Sequence, residues 1–268
     1  MRALLLLSMG MGCLPHTNPC DPAAEDYPQG CADTGPEDEA ATPAAPAETG
    51  PSLARSFPID AVESAHGVVL MDASLWVADW ETSVVMALSP DDGEATGDTL
   101  ALGAINPIDL AFDGSEMWVL SQGGKIHEYV DGTDDLVERA VSSSYRGIAF
   151  DGEYLAAASQ TSMARIRDNG STIYSTPIAG TGGPLGYMDG QFIQAVGGES
   201  GDITLKRFDA TSLVNTALID EVTVDVQGSP TSPISGITVG TSHAYVLIGA
   251  TASRDARVLV ISLPSDWL

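Results

Sequence analysis

Short apolar runs alternate with polar turns from Phe57 to the end of the chain, and they predict an all-β domain. The runs are rich in β-branched residues, which is typical of strands, and none has the periodicity of a long amphipathic helix. Five similar units follow one another, each with a first strand, a tight turn and a second strand. The first strands are GVVLM, IDLAF, GIAF, PLGYM and SGITV, and the second strands are LWVAD, MWVLS, YLAAA, FIQAV and AYVLI.

Equivalent positions in the second strands give the period of this repeat. They are Trp76, Trp118, Leu155, Ile193 and Tyr245, with spacings of 42, 37, 38 and 52 residues. A four-stranded propeller blade has about 40 to 45 residues. One blade cannot bury both faces of its sheet, whereas copies around an axis bury each face against a neighbour. The period therefore predicts a β-propeller of about five four-stranded blades, and the segment EVTVDVQGSPTSP leaves a degenerate sixth blade as an alternative.

The turns and the two ends of the repeat region agree with this architecture. Asp-Gly pairs at Asp113-Gly114, Asp151-Gly152 and Asp189-Gly190 separate first from second strands, and this dipeptide accepts the positive φ values of tight hairpins. The fifth unit ends after its third strand, ARVLVIS, while FPIDAV at residues 57–62 is a spare strand. We therefore expect the N-terminal strand to complete the last blade, because this closure removes an exposed sheet edge.

Strings of the IAFDG and LWVAD type resemble the bacterial propeller repeats of the YVTN, NHL and quinoprotein-like kinds. The resemblance covers residues 57–268 and implies the propeller fold. It implies little about activity, because propellers host binding, hydrolysis, lysis and redox chemistry.

The N-terminal segment MRALLLLSMGMGC has the order of an export signal: a positive residue, an apolar run and small residues. The small residues before Cys13 resemble the lipobox of bacterial lipoproteins, although Gly10 stands where that family usually has Leu. The resemblance implies a signal peptide over residues 1–12 and lipidation of Cys13. Leu14 stands where an inner-membrane retention signal would place Asp, which favours the outer membrane or cell surface. An ordinary signal peptide is the alternative.

Residues 13–56 are rich in Pro, Ala, Thr and acidic residues, and they predict a disordered tether. Such a segment would hold the propeller clear of the membrane. Cys20 and Cys31 lie within it, and export to an oxidising compartment makes a disulfide between them feasible. Metal binding is the alternative for these cysteines, with His16 as the one further ligand nearby.

The chain carries 37 acidic against 11 basic residues, a formal net charge of -26. Such a surface repels phosphate backbones and anionic lipid headgroups. We therefore expect no nucleic-acid partner, and membrane attachment through the lipid anchor only. The cofactor is unknown, and the many oxygen ligands leave a Ca²⁺ site as an alternative, although EF-hand loop spacing is absent.

Ligands of propellers usually meet the face that carries the inter-blade loops and the loops between second and third strands. Polar groups converging there are the default binding hypothesis. The main candidates on this funnel face are His66, Asp79, Trp80, Asn106, Gln122, Tyr145, Arg146, Gln160 and Glu199. Further polar residues of the same loops are Glu63, Glu81, Asp202, Ser235, Arg254 and Asp255. Trp80 suits stacking on a sugar or a cation, and Arg146 suits a carboxylate.

Catalytic motifs such as G-x-S-x-G, H-E-x-x-H and the P-loop do not occur in the sequence. The first functional hypothesis is therefore a surface-anchored binding or scaffold module for a protein, peptide or glycan. The alternative is a propeller lyase or hydrolase with a metal in the central funnel, because propeller active sites assemble from distant loops.

Overall fold

The computed structural model describes residues 50–129, 136–167, 169–178, 182–197, 201–211, 216–226, 233–250 and 255–267. These residues contain 20 strands, arranged in five four-stranded antiparallel sheets. Each sheet is one blade, and the first strands of neighbouring blades contact one another around a central axis. The predicted five-bladed propeller is therefore confirmed.

Blades one to three follow the chain directly, with four consecutive strands each. Blade one contains Ala65–Met71 (β2), Ser74–Asp79 (β3), Val84–Leu88 (β4) and Ala95–Ala101 (β5). Blade two contains Pro107–Phe112 (β6), Met117–Ser121 (β7), Lys125–Tyr129 (β8) and Leu136–Ala140 (β9). Blade three contains Gly147–Phe150 (β10), Leu155–Ala158 (β11), Ser162–Ile166 (β12) and Thr172–Pro177 (β13).

Blade four contains Leu185–Met188 (β14), Gln191–Gly197 (β15), Ile203–Asp209 (β16) and Leu218–Val224 (β17). The segment considered for a sixth blade, residues 221–233, begins within β17, the fourth strand of this blade, and its residues 227–232 lie outside the described residues. Blade five contains Ile234–Val239 (β18), His243–Ile248 (β19), Arg257–Ser262 (β20) and, as its outer strand, Ser52–Pro58 (β1).

The N-terminal strand closes the ring as expected, but its position differs from the prediction. Strand β1 begins at Ser52 and pairs with β20 from Ser52↔Ser262 to Pro58↔Arg257, whereas the sequence placed it at residues 57–62. The predicted boundary between tether and propeller, at residues 56 and 57, therefore lies inside the strand. Leu53 and Phe57 pack on the core, whereas Arg55 is exposed and pairs with Asp91. Because only one face of this outer strand is buried, its sequence resembles that of a polar tether.

Five hydrophobic clusters lie between consecutive blades. The cluster between blades five and one joins Phe57, Leu247 and Val258 to Val68 and Val77, so it also closes the ring. The other four clusters occupy the remaining interfaces in order around the axis. Each sheet thus buries both faces against neighbours, which is the physical reason for the repeat.

The hairpin turns use the chemistry that the sequence indicated. Gly114, Gly152 and Gly190 all have positive φ. The Asp113 carboxylate accepts hydrogen bonds from the amides of Ser115 and Glu116 at 2.8 and 2.7 Å, which fixes the loop that follows.

The predicted signal peptide, Cys13, Cys20, Cys31 and nearly all of the tether lie outside the described residues. Within the described ranges, no helix has the length and hydrophobicity needed to cross a bilayer.

Candidate functional site

A cavity of about 360 Å³ lies where the propeller axis meets the face that carries the inter-blade loops. All five blades contribute to it, and we call it the mouth cavity. Its lining comprises Ser64, Ala65, His66, Ile108, Arg146, Gln160, Gly182, Gly183, Pro184, Pro233, Ile234, Ser235, Gly249 and Ala250. This volume is within the range of small-molecule sites.

Three of the nine predicted site residues, His66, Arg146 and Gln160, line the mouth cavity together. His66 and Arg146 lie at the start of first strands, and Gln160 follows a second strand, so the repeat brings them to the same end of the propeller. Trp80 joins this group at its edge, because the centroids of its ring and the His66 ring are 5.2 Å apart. The Trp80 amide donates to the Ser64 carbonyl at 2.8 Å, which fixes its backbone.

Arg146 presents an exposed guanidinium at the rim of the cavity. Its Nη1 donates to the carbonyls of Ser143 and Tyr145 at 2.9 and 2.7 Å. Among the described residues, no carboxylate pairs with it. The two carbonyls orient the guanidinium, and its Nε and Nη2 groups make no hydrogen bond within the described ranges, so they are available to a ligand.

His66 is half-buried and electrostatically coupled to Asp79. Burial lowers the pKa of the His66 imidazole, and the negative charge of Asp79 opposes part of this shift. The imidazole is therefore neutral at neutral pH, a form that accepts a proton or ligates a metal.

Other predicted residues have roles in the fold instead. Asp79 is 1% exposed, and its carboxylate accepts hydrogen bonds from the amides of Glu63, Glu81 and Thr82. Tyr145 is 7% exposed and belongs to the cluster between blades two and three. Neither side chain reaches the mouth cavity, because one holds a turn and the other packs between sheets.

The remaining main candidates within the described ranges do not line the mouth cavity. Asn106 is exposed, and its side-chain amide donates to the Trp80 carbonyl at 3.5 Å. Gln122 is also exposed, and its backbone amide donates to the Asn106 carbonyl at 2.9 Å. Glu63 and Asp255 line a different cavity at the edge of blade five. Glu199 and Arg254 lie outside the described residues.

Sequence reasoning missed Asp109, a fully buried carboxyl in the first strand of blade two. Its neighbour Ile108 lines the mouth cavity. Its other neighbour, Leu110, lines a second and smaller cavity of about 110 Å³ inside the ring of first strands. Asp109 therefore lies in the floor that separates the two. An acidic residue inside the apolar run IDLAF was the available signal.

The environment of Asp109 is unusual for a carboxylate. Its Oδ2 accepts the amide of Ile148 at 2.8 Å, while Oδ1 is buried without a hydrogen-bond partner of normal geometry in the described structure. Burial raises the pKa of Asp109 well above its ordinary value, and the nearby amides of Ile148, Leu110 and Leu185 oppose only part of that shift. Those amides belong to blades two, three and four, so the first strands of three blades surround this carboxyl.

The mouth cavity also contains the buried hydroxyl of Ser235, which has no hydrogen-bond partner among the described atoms. No three His, Cys, Asp or Glu side chains of the described residues converge where they could hold a metal ion. A Ca²⁺ site stays a prediction.

Solved structures of other proteins have folds similar to that of this chain. The chain is similar to Myxococcus xanthus glutaminyl cyclase, with a TM-score of 0.61 and 14% identity over 80% of this chain and 96% of that chain. It is also similar to the PQQ-bound aldose sugar dehydrogenase of Streptomyces coelicolor, with a TM-score of 0.52 and 12% identity over 79% and 97% of the two chains. These similarities agree with the β-propeller fold of the chain.

These similarities concern the fold alone, since the identities are low. No protein-family model matches the chain, and no curated protein sequence matches it either. Function must therefore be argued from the site itself.

Proposed function

We propose that the protein is a binding module whose mouth cavity takes short peptides, with a peptide carboxylate held by Arg146. The observation that carries the proposal is this guanidinium, which lies at the rim of the mouth cavity without a carboxylate partner among the described residues. In a chain with a net charge of -26, acidic groups usually surround each cation. Of the eight other described Lys and Arg side chains, Arg167 and Arg257 also have no described carboxylate in pairing distance, and neither lines the mouth cavity. The other six pair with carboxylates: Arg55, Lys125, Arg139, Arg165, Lys206 and Arg207.

The rest of the mouth suits a peptide. Backbone groups of a ligand need polar partners, which Gln160 and Ser235 offer within the lining. The His66–Trp80 ring pair offers an apolar surface at the edge. A guanidinium oriented by two carbonyls binds a carboxylate bidentately, with stronger hydrogen bonds than neutral groups make.

The test is a calorimetric titration with acetyl-trialanine as the free acid and as the amide. The free acid should bind, and the amide should bind at least about tenfold more weakly, because it lacks the charge that Arg146 recognises. Arg146→Gln should lower the affinity for the free acid about tenfold or more.

The matched control is Arg167→Gln, which removes an exposed arginine from the opposite end of blade three. It should leave the affinity unchanged. Equal binding of acid and amide, or an Arg146→Gln variant with wild-type affinity, would refute the proposal. Glucuronate in the same titration separates a peptide site from an acidic-glycan site.

A lyase or hydrolase with a metal in the funnel is the second candidate, and the neutral His66 imidazole in the mouth cavity is the observation that favours it. Such an imidazole ligates divalent metals. Metal analysis of the purified protein decides: about one tightly held divalent ion per chain supports the enzyme, and His66→Ala should then release it. A metal-free protein counts against this candidate.

The lipoprotein character belongs to the same proposal. Cys13 would carry the lipid, and residues 14–49 would hold the propeller away from an outer membrane or cell surface. Two or three acyl chains suffice for stable anchoring, since each buried CH₂ contributes about 0.8 kcal/mol.

A further inference from the structure

A second cavity, of about 380 Å³, lies between blades one and two at the end of the propeller opposite the mouth. We call it the interblade cavity. Aromatic and apolar side chains from both blades line it, chiefly Trp76, Leu100, Phe112, Met117 and Tyr129. Asp72 is the one charged residue in this lining. The cavity therefore combines aromatic rings with a single carboxylate.

At the interface between blades two and three, an arginine of the chain itself lies against the tryptophan that is equivalent to Trp76. Trp118 of blade two is the counterpart of Trp76, and the Arg139 guanidinium lies 5.3 Å from its ring centroid. Arg139 also pairs with Glu128. The indole Nε1 of Trp118 donates to the Asp113 carboxylate at 2.9 Å. A guanidinium, a carboxylate partner and an indole thus form one packed unit at the side of blade two.

Strand register identifies the blade-one counterparts of these residues. Val85 and Ile126 are equivalent, because each is the second residue of the third strand of its blade. Leu100 pairs with Val85 in blade one, and Arg139 pairs with Ile126 in blade two. Leu100 is therefore the blade-one counterpart of Arg139. Trp76 lies opposite Ala87, whereas Trp118 lies opposite Glu128. Blade one therefore has the tryptophan of the unit without its cation or that cation's acidic partner.

The hydrogen bond of the indole is also missing in blade one. Only two residues separate β2 from β3, whereas four residues separate β6 from β7. Asp72 occupies this tighter turn with a φ of 49°, and the buried Nε1 of Trp76 has no hydrogen-bond partner among the described residues. Asp72 instead lines the cavity beside the ring.

We propose that the interblade cavity binds a guanidinium group from outside the chain, stacked on Trp76 and paired with Asp72. This ligand would take the position that Arg139 has in blade two. Guanidinium groups stack on indole faces and are weakly hydrated, so their transfer into an aromatic cavity costs less than that of an ammonium. The high negative charge of the chain raises the local concentration of cations. The proposal is independent of the mouth site.

The test uses N-ethylguanidinium with its neutral planar isostere, N-ethylurea. The indole resonances of ¹⁵N-labelled protein report binding, and Trp76→Phe assigns the Trp76 signal. N-ethylguanidinium should shift the Trp76 indole resonance in a saturable way, with an affinity at least about tenfold above that of N-ethylurea.

Two variants and one control sharpen the result. Asp72→Asn should weaken binding of N-ethylguanidinium several-fold while the folded spectrum persists. Leu100→Arg should abolish binding, because it places the chain's own guanidinium at the position found in blade two. Asp189→Asn, in the equivalent two-residue turn of blade four, removes an exposed carboxylate with a similar φ of 46° and should leave binding unchanged. Equal affinity for both probes, an unshifted Trp76 resonance, or unimpaired binding by Leu100→Arg would each overturn the proposal.

Discussion

Replacement of Asp109 by asparagine tests the electrostatics of the cavity floor. Asparagine has nearly the same shape and keeps an oxygen that can accept the Ile148 amide, the bond that spans 2.8 Å in the native protein. It removes the ionisable proton from a side chain that is 0% exposed. The variant therefore separates the charge of this group from its packing.

The direction of the effect follows from the raised pKa of Asp109 in the folded state. The unfolded carboxyl ionises near its ordinary pKa, so above that pH the native state binds more protons than the unfolded state. The contribution of Asp109 to stability is thus fully present below the unfolded pKa and is lost as pH rises towards the folded pKa. The loss is about 1.4 kcal/mol per pH unit within that window.

Urea unfolding of wild type and Asp109→Asn between about pH 4 and pH 8 measures this difference. The stability of the variant relative to wild type should rise with pH by about 1.4 kcal/mol per unit, then level off above the folded-state pKa. A difference that does not change with pH would show that the Asp109 carboxyl ionises normally and would refute the argument.

Two further predictions concern closure and anchoring. Deletion of residues 50–58 should lower the free energy of unfolding by more than about 3 kcal/mol, because buried Phe57 and the pairing with β20 are lost; a thermal melt like that of the full chain would contradict ring closure by β1. Cys13→Ser should move the protein from membrane to soluble fractions, and continued membrane association would refute lipid anchoring.

The fold was predictable because its determinants repeat along the chain. Each second strand is mostly buried, and Asp-Gly pairs mark the turn between first and second strands in three successive units. Strand β1 was placed too late because it is an outer strand with one solvated face. Its Arg55 and Ser56 made it look like the tether that precedes it.

The site was only partly predictable. The repeat position alone indicates that His66 and Arg146 lie at one end of the propeller, and they share a cavity there. The repeat position does not indicate the direction of a side chain. Tyr145 and Arg146 are neighbours in sequence and looked equivalent, but Tyr145 is buried and Arg146 is exposed. The floor carboxyl of Asp109 depends on three strands from different blades, and no local pattern encodes that contact.

Backbone hydrogen exchange in the presence of acetyl-trialanine tests the central claim most directly, namely that the five blades converge on a ligand site at the mouth. Saturating peptide should slow exchange in the mouth segments, residues 64–66, 145–147, 182–184 and 233–235, and leave the turns at 72–73 and 113–116 unchanged. Protection confined to those opposite turns, or no protection in the mouth at saturation, would contradict the account.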